Sequence, residues 1–105
     1  MFRTVLLVPT RDNQGRPFSR SQWTELERRL ATTFGGYSWT AGVHGAWEDR
    51  GRVYRDVSRQ YLVSLQSWTQ FAIWLELVQW VRVAFQQEGI YIEVAGVPEV
   101  IRGEA

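Results

Sequence analysis

A chain of 105 residues, 45% of them hydrophobic, has material for a single compact core and none for a second, so it reads as one domain spanning residues 1–105. It has no cysteine, and its twelve basic residues are all arginine, which excludes disulfides, thiolate nucleophiles, iron–sulfur ligation, Schiff-base chemistry and the P-loop lysine together. A formal net charge of +1 offers no global field for a polyanion, and no apolar run or leader stands out, so the expectation is a cytoplasmic protein without membrane or nucleic-acid binding.

Thr4-Val5-Leu6-Leu7-Val8, apolar on both faces and stopped by Pro9, reads as a central first strand. Asp12-Asn13-Gln14-Gly15 and Pro17 are turn chemistry. Helix one is expected over Arg20 to Phe34. Ser19 fits its N-cap and Gln22 the third helical position, Phe18 and Trp23 suit a hydrophobic staple, and Gly35 suits a left-handed C-terminal cap. Trp23, Leu26, Leu30 and Phe34 fall on one buried stripe.

The second strand, near Tyr37 to Trp47, alternates Tyr37, Trp39, Ala41 and Val43 on a buried face with Ser38, Thr40, Gly42 and His44 on an open one. The third, near Arg52 to Leu65, sets Val57, Tyr61, Val63 and Leu65 against Tyr54, Asp56, Ser58 and Gln60. Both apolar sets are odd-numbered, so a shared face requires a loop of odd length. A three-residue loop Asp49-Arg50-Gly51 meets that need and pairs Glu48 with Arg52, Trp39 with Tyr61, and His44 with Asp56.

Helix two is expected from a cap at Ser67, with Gln70 three residues on, to Glu88, ended by Gly89. Phe71, Trp74, Leu75, Val78, Val81 and Phe85 would face the sheet. Ile73, Leu77, Trp80 and Ala84 then form a second apolar stripe on the outer flank, which suggests a homo-oligomer or a protein partner docking through helix two. The alternative cover is the tail beyond Gly96, whose Val97, Pro98, Val100 and Ile101 are apolar enough to fold over it. Ile90 to Val94 makes the last strand. The order β-α-β-β-α-β is that of an α+β, ferredoxin-like sandwich, a four-stranded antiparallel sheet with two helices on one face. That architecture hosts many functions and selects none.

Chemistry belongs on the open face, where His44, Tyr54, Asp56, Tyr91 and Glu93 point in this register. His44 opposite Asp56 is the one candidate catalytic pair, because a carboxylate on one ring nitrogen fixes the tautomer and makes the other nitrogen a better base. An ordinary cross-strand polar pair fits the same residues, and no nucleophile accompanies them. Arg55 and Arg59, beside Ala41 and Gly45, offer space for an anion, or else pair with Glu48, Asp49 or the acids of helix one. Tyr54, Arg55, Arg59, Tyr91 and Glu93 are therefore the candidate ligand-binding set. One histidine with scattered carboxylates lacks metal-ligand spacing, so no metal and no cofactor are expected. Gly51-Arg52-Val53-Tyr54 starts too early and continues too polar for an RNA-binding strand, and the tryptophans, at helical and strand spacing, read mostly as core.

Over Gly42-Val43-His44-Gly45-Ala46-Trp47-Glu48-Asp49 and Gly51 to Arg59 the chain resembles small bacterial ferredoxin-like domains of unknown function, whose central hairpin carries a similar Gly-x-Trp, turn, Arg-Asp-x-Ser pattern. The resemblance implies the fold and brings no activity with it. Two functions follow as expectations. The preferred one is a non-catalytic homo-oligomeric or accessory interaction domain, since no complete catalytic set is present. The other is a small-ligand-binding protein or a cofactor-free acid–base enzyme of dimeric α+β barrel type using His44 and Asp56.

Overall fold

The computed structural model describes residues 1–103. Seven elements follow in order: β1 (Phe2–Pro9), α1 (Arg20–Phe34), β2 (Ser38–Asp49), β3 (Arg52–Leu65), α2 (Trp68–Ala84), β4 (Gly89–Val94) and β5 (Val97–Arg102). The strands form one antiparallel sheet in the order β2-β3-β1-β4-β5. The architecture is α+β, two helices over a five-stranded sheet. The expected four strands are thus corrected to five. Ala95 and Gly96 both take positive φ, 51° and 84°, in a tight turn that returns the tail along β4, where its backbone groups pair with an edge that would otherwise stand open.

Local chemistry explains α1. Ser19 accepts the Gln22 amide while the Gln22 side chain accepts the Ser19 amide, Phe18 meets Trp23 edge-on at 6.2 Å, and Gly35 at φ 87° returns its N–H to the Ala31 carbonyl. Helix α2 is less well capped and ends at Ala84, four residues before the expected Glu88. Phe85 is drawn into the core against Phe18 and Trp23, and Gln86 at φ 52° turns the chain away. Leu6, Val8, Tyr61, Val63, Ile90 and Ile92 meet Leu26, Leu30, Trp74, Val78 and Val81 in one continuous core. Among the described residues no helix is long and apolar enough to cross a membrane.

The β2–β3 hairpin departs from its expected register. Arg50 and Gly51, at φ 54° and 80°, form a two-residue turn whose twist suits the strands, and Asp49, not Glu48, lies opposite Arg52. The extra residue demanded by parity sits at a bulge between Thr40 and Val43, where Gly42 takes φ 72°. Trp39 does pair with Tyr61, but beyond the bulge His44 lies opposite Val57, and Asp56 opposite Gly45. Residues opposite each other share a face, so His44 and Asp56 project from opposite faces of the hairpin. Their expected cross-strand pairing does not form.

β1 ends at Pro9, opposite Ser58, so the outer hairpin has no third strand beside it. Consequently β2 is exposed along nearly its whole length: Trp39 and Ala41 do not reach the buried face expected of them and Val43 is half-buried, while Tyr37, just ahead of the strand, packs against the core as expected. Trp39, Trp47 and Trp68 are all exposed, against the expectation that most tryptophans are core.

Candidate functional site

Where β1 stops, the loop from Thr10 to Pro17 stands beside the outer hairpin. Thr10 stitches the two together, donating both its amide and its hydroxyl to the Val57 carbonyl at 2.9 Å. The loop is braced internally. Asp12 accepts the amides of Arg16 and Gln14 and the Arg16 Nε, at 2.9 to 3.0 Å, and those bonds, led by the Arg16 amide, hold its carboxyl below the usual range. Arg11 closes the turn by donating Nη1 to the Gly15 carbonyl.

Between loop and hairpin lies a cleft of about 860 Å³ lined by Arg11, Asn13, His44, Trp47, Tyr54, Arg55 and Asp56. Trp47 and Tyr54, opposite one another across the strands, stack at 4.5 Å with planes 17° apart, and the Arg52 guanidinium lies 5.0 Å from the Tyr54 ring. The indole keeps more than half its surface open, at 54% exposure. A second hollow of about 470 Å³ runs across the open sheet face, with Leu7, Ser58, Tyr91 and Val100 from four strands and Arg102 at its margin. The two share Asn13, Gly45, Trp47, Asp56 and Gln87, so one groove wraps the root of the hairpin.

This geometry redistributes the residues singled out in the sequence. His44, Tyr54, Arg55 and Asp56 line the larger cleft, and Tyr91 and Asp56 the smaller; no hydrogen bond joins His44 to Asp56 among the described residues. Glu93, opposite Val5 and Pro98, and Arg59 line neither. Arg59 lies between Trp23 and Trp39, 4.1 and 4.6 Å from their rings, and pairs with Glu27 at 3.1 Å. Tyr61 donates to the same carboxylate at 2.7 Å, and burial, reinforced by that bond, pushes its hydroxyl far above the ordinary phenol range. Arg59 therefore ties β3 to α1, and its charge is already matched.

The expected outer stripe of α2 is largely covered. Leu77 is buried, Trp80 lies beneath the Arg29 guanidinium at 3.9 Å, and the Ala84 carbonyl accepts the Gln22 side chain, which leaves Ile73 as the stripe's exposed member. The cover at Trp80 and Ala84 comes from α1, while the tail reaches α2 at Gln79, whose side chain donates to the Arg102 carbonyl. Sequence reasoning missed Trp47, the loop residues Arg11 and Asn13, and Ser58, Gln87 and Arg102. The signal for Trp47 was present, an aromatic residue beside a turn in a strand with no apolar partner row.

No protein-family model matches the sequence, and no curated protein matches it. Solved structures do. A phage SAM lyase in complex with S-methyl-5'-thioadenosine superposes with a TM-score of 0.73 at 20% identity, over 98% of this chain and 90% of the other. A phage SAM lyase in its apo state gives 0.69 at 17%, over 99% and 90%. The divalent cation tolerance protein Cut A1 of Thermus thermophilus gives 0.56 at 14%, over 99% and 82%. At these identities the likeness is one of fold.

Proposed function

We propose that this protein binds a small adenosyl compound of sulfur, S-adenosylmethionine or its thioether, in the groove at the hairpin root. The observation that carries this is the stacked Trp47–Tyr54 pair on the wall of a cleft of about 860 Å³. Clefts of roughly 300–1,000 Å³ suit small molecules. The open indole face is a platform for a purine, and such stacking contributes about 1–3 kcal/mol per base. Asp56, which makes no ion pair among the described residues, supplies the negative charge a sulfonium needs beside it. The fold shared with the phage SAM lyase supports the choice of ligand.

Conversion of S-adenosylmethionine to S-methyl-5'-thioadenosine breaks the bond from sulfur to the aminocarboxypropyl arm and returns its electron pair to sulfur, while the arm's own carboxylate oxygen bonds the carbon that sulfur leaves and closes a five-membered lactone. The chemistry asks for a firm hold on the adenosyl group and the arm, and for neither of the two side chains this sequence lacks, cysteine and lysine. His44 lines the cleft as a base or donor acting independently of Asp56.

The test is titration of the protein with S-methyl-5'-thioadenosine, read by tryptophan fluorescence, together with chromatography of S-adenosylmethionine incubated with the protein. Saturable quenching is expected, weakened about tenfold or more by Trp47→Ala, with S-methyl-5'-thioadenosine accumulating. No binding of either compound at millimolar concentration overturns the proposal.

A non-catalytic homo-oligomeric domain is the second reading, favoured by the hairpin itself. Trp47, Val53 and Val57 are 54%, 50% and 37% exposed on a two-stranded ribbon that projects beyond the end of β1. Such ribbons are marginal alone, and a second copy of the chain would cover these side chains.

A further inference from the structure

The larger cleft has a basic wall as well as an aromatic one. Arg55 follows Tyr54 on β3 and projects from the other face, opposite Ala46, whose methyl leaves room beside it. Its guanidinium makes no ion pair among the described residues. Arg11, which also lines the cleft, donates Nη1 to the Gly15 carbonyl and makes no ion pair among the described residues. Asp12, the nearest acid in sequence, is already engaged by three N–H groups from Gln14 and Arg16. Two guanidinium groups therefore line the cleft without a salt bridge among the described residues, and the cleft's unpaired carboxylate, Asp56, projects from the other face of β3.

The backbone adds a second feature. Thr10 bonds the Val57 carbonyl, so the odd residues of β3 direct their N–H and C=O groups toward the β1 side. β1 ends at Pro9, and at Arg55 that edge has no strand beside it. A free strand edge, flanked by the Arg55 guanidinium on one face and the Asp56 carboxylate on the other, matches an amino-acid zwitterion.

We propose that Arg55, assisted by Arg11, binds the carboxylate of an aminocarboxypropyl arm, so that the site prefers adenosyl compounds that carry this arm over those that lack it. This rests on the ligand-binding function proposed above. A guanidinium presents two parallel N–H groups to a carboxylate, a match that an ammonium or a neutral amide does not reproduce.

The experiment compares two probes on the full chain by calorimetry: S-adenosylhomocysteine, which has the arm, and S-methyl-5'-thioadenosine, which does not. Wild type is expected to bind the first more tightly. Arg55→Gln is expected to weaken S-adenosylhomocysteine by about 10- to 100-fold while leaving the other probe unchanged, and Arg55→Lys to fall between. Circular dichroism confirms that each variant is folded. If wild type binds both probes and Arg55→Gln weakens them equally, or neither, the carboxylate subsite is overturned and the ligand site stands. If wild type binds neither, the ligand site itself fails and the subsite with it.

Discussion

A β-carbon placed on Gly45 would stand 3.0 Å from Oδ1 of Asp56, directly across the strand pair. The glycine is there for space, since its φ lies outside the left-handed region. Gly45→Ala is therefore expected to shift the unfolding midpoint by no more than about 2–4 °C in either direction, as the stiffer backbone offsets the crowding. Because both hollows share Gly45 and Asp56, the same change displaces the carboxylate and weakens S-adenosylhomocysteine several-fold in calorimetry. A large loss of stability with binding intact would show that Gly45 serves the strand and not the groove.

The Glu27–Arg59–Tyr61 cluster makes a stability prediction. Glu27→Ala leaves a partly buried guanidinium and the phenol hydroxyl of the buried Tyr61 without their acceptor, at a cost of about 1–3 kcal/mol. In an Arg59→Met background the cation is gone, and the same Glu27→Ala change costs less. Urea unfolding of the four proteins in this cycle reads the coupling directly. Equal costs in both backgrounds would mean that Trp23 and Trp39, and not Glu27, hold Arg59 in place.

The bounds of α1 are legible in the sequence because Ser19, Gln22, Phe18 and Gly35 are independent local signals that agree. The pairing of Trp39 with Tyr61 is legible because an extra residue, whether in the turn or at the bulge, leaves the register before the bulge the same. The position of His44 is not. Parity requires one extra residue in the hairpin but does not say where, and both Gly42 and Gly51 accept positive φ. An extra residue at Gly42 instead of in the turn moves every side chain between the two points to the other face, which separates His44 from Asp56. The fifth strand is hidden for a related reason, since apolar residues after Gly96 suit a covering tail and an edge strand equally. The cleft depends on where β1 stops relative to β3, a tertiary mismatch in strand length that no local pattern records.

Acid should weaken α1 through Glu25. Its carboxylate takes hydrogen bonds from Arg28, the larger influence, and Arg29, which lower its pKa from 4.5 to about 2. A folded-state value below the unfolded one means that the stabilisation is complete above about pH 4.5 and is lost as pH falls toward 2. Both partners are solvent-accessible, so the effect is small and salt-sensitive. The difference in thermal midpoint between wild type and Glu25→Gln is expected to shrink over that pH window and again when salt is raised at neutral pH. A difference independent of both would assign the effect to helix propensity.

Trp80 and Val53 separate the two surfaces on which a second copy of the chain could sit. Trp80 is half-covered by Arg29 from α1, so Trp80→Glu exposes the helix–helix contact and lowers stability whether or not the protein assembles. Val53 stands on the projecting hairpin, half exposed and opposite Glu48, where a positive charge meets a carboxylate and leaves the strand pair intact. Light scattering on wild type, Trp80→Glu and Val53→Arg is expected to give an assembly that Val53→Arg reduces to the monomer mass without changing the unfolding midpoint in the dissociated state. If Trp80→Glu alone releases folded monomers, the interface lies on α2 after all, and if wild type is itself monomeric, the hairpin stands free in solution and its aromatic stack serves the groove alone.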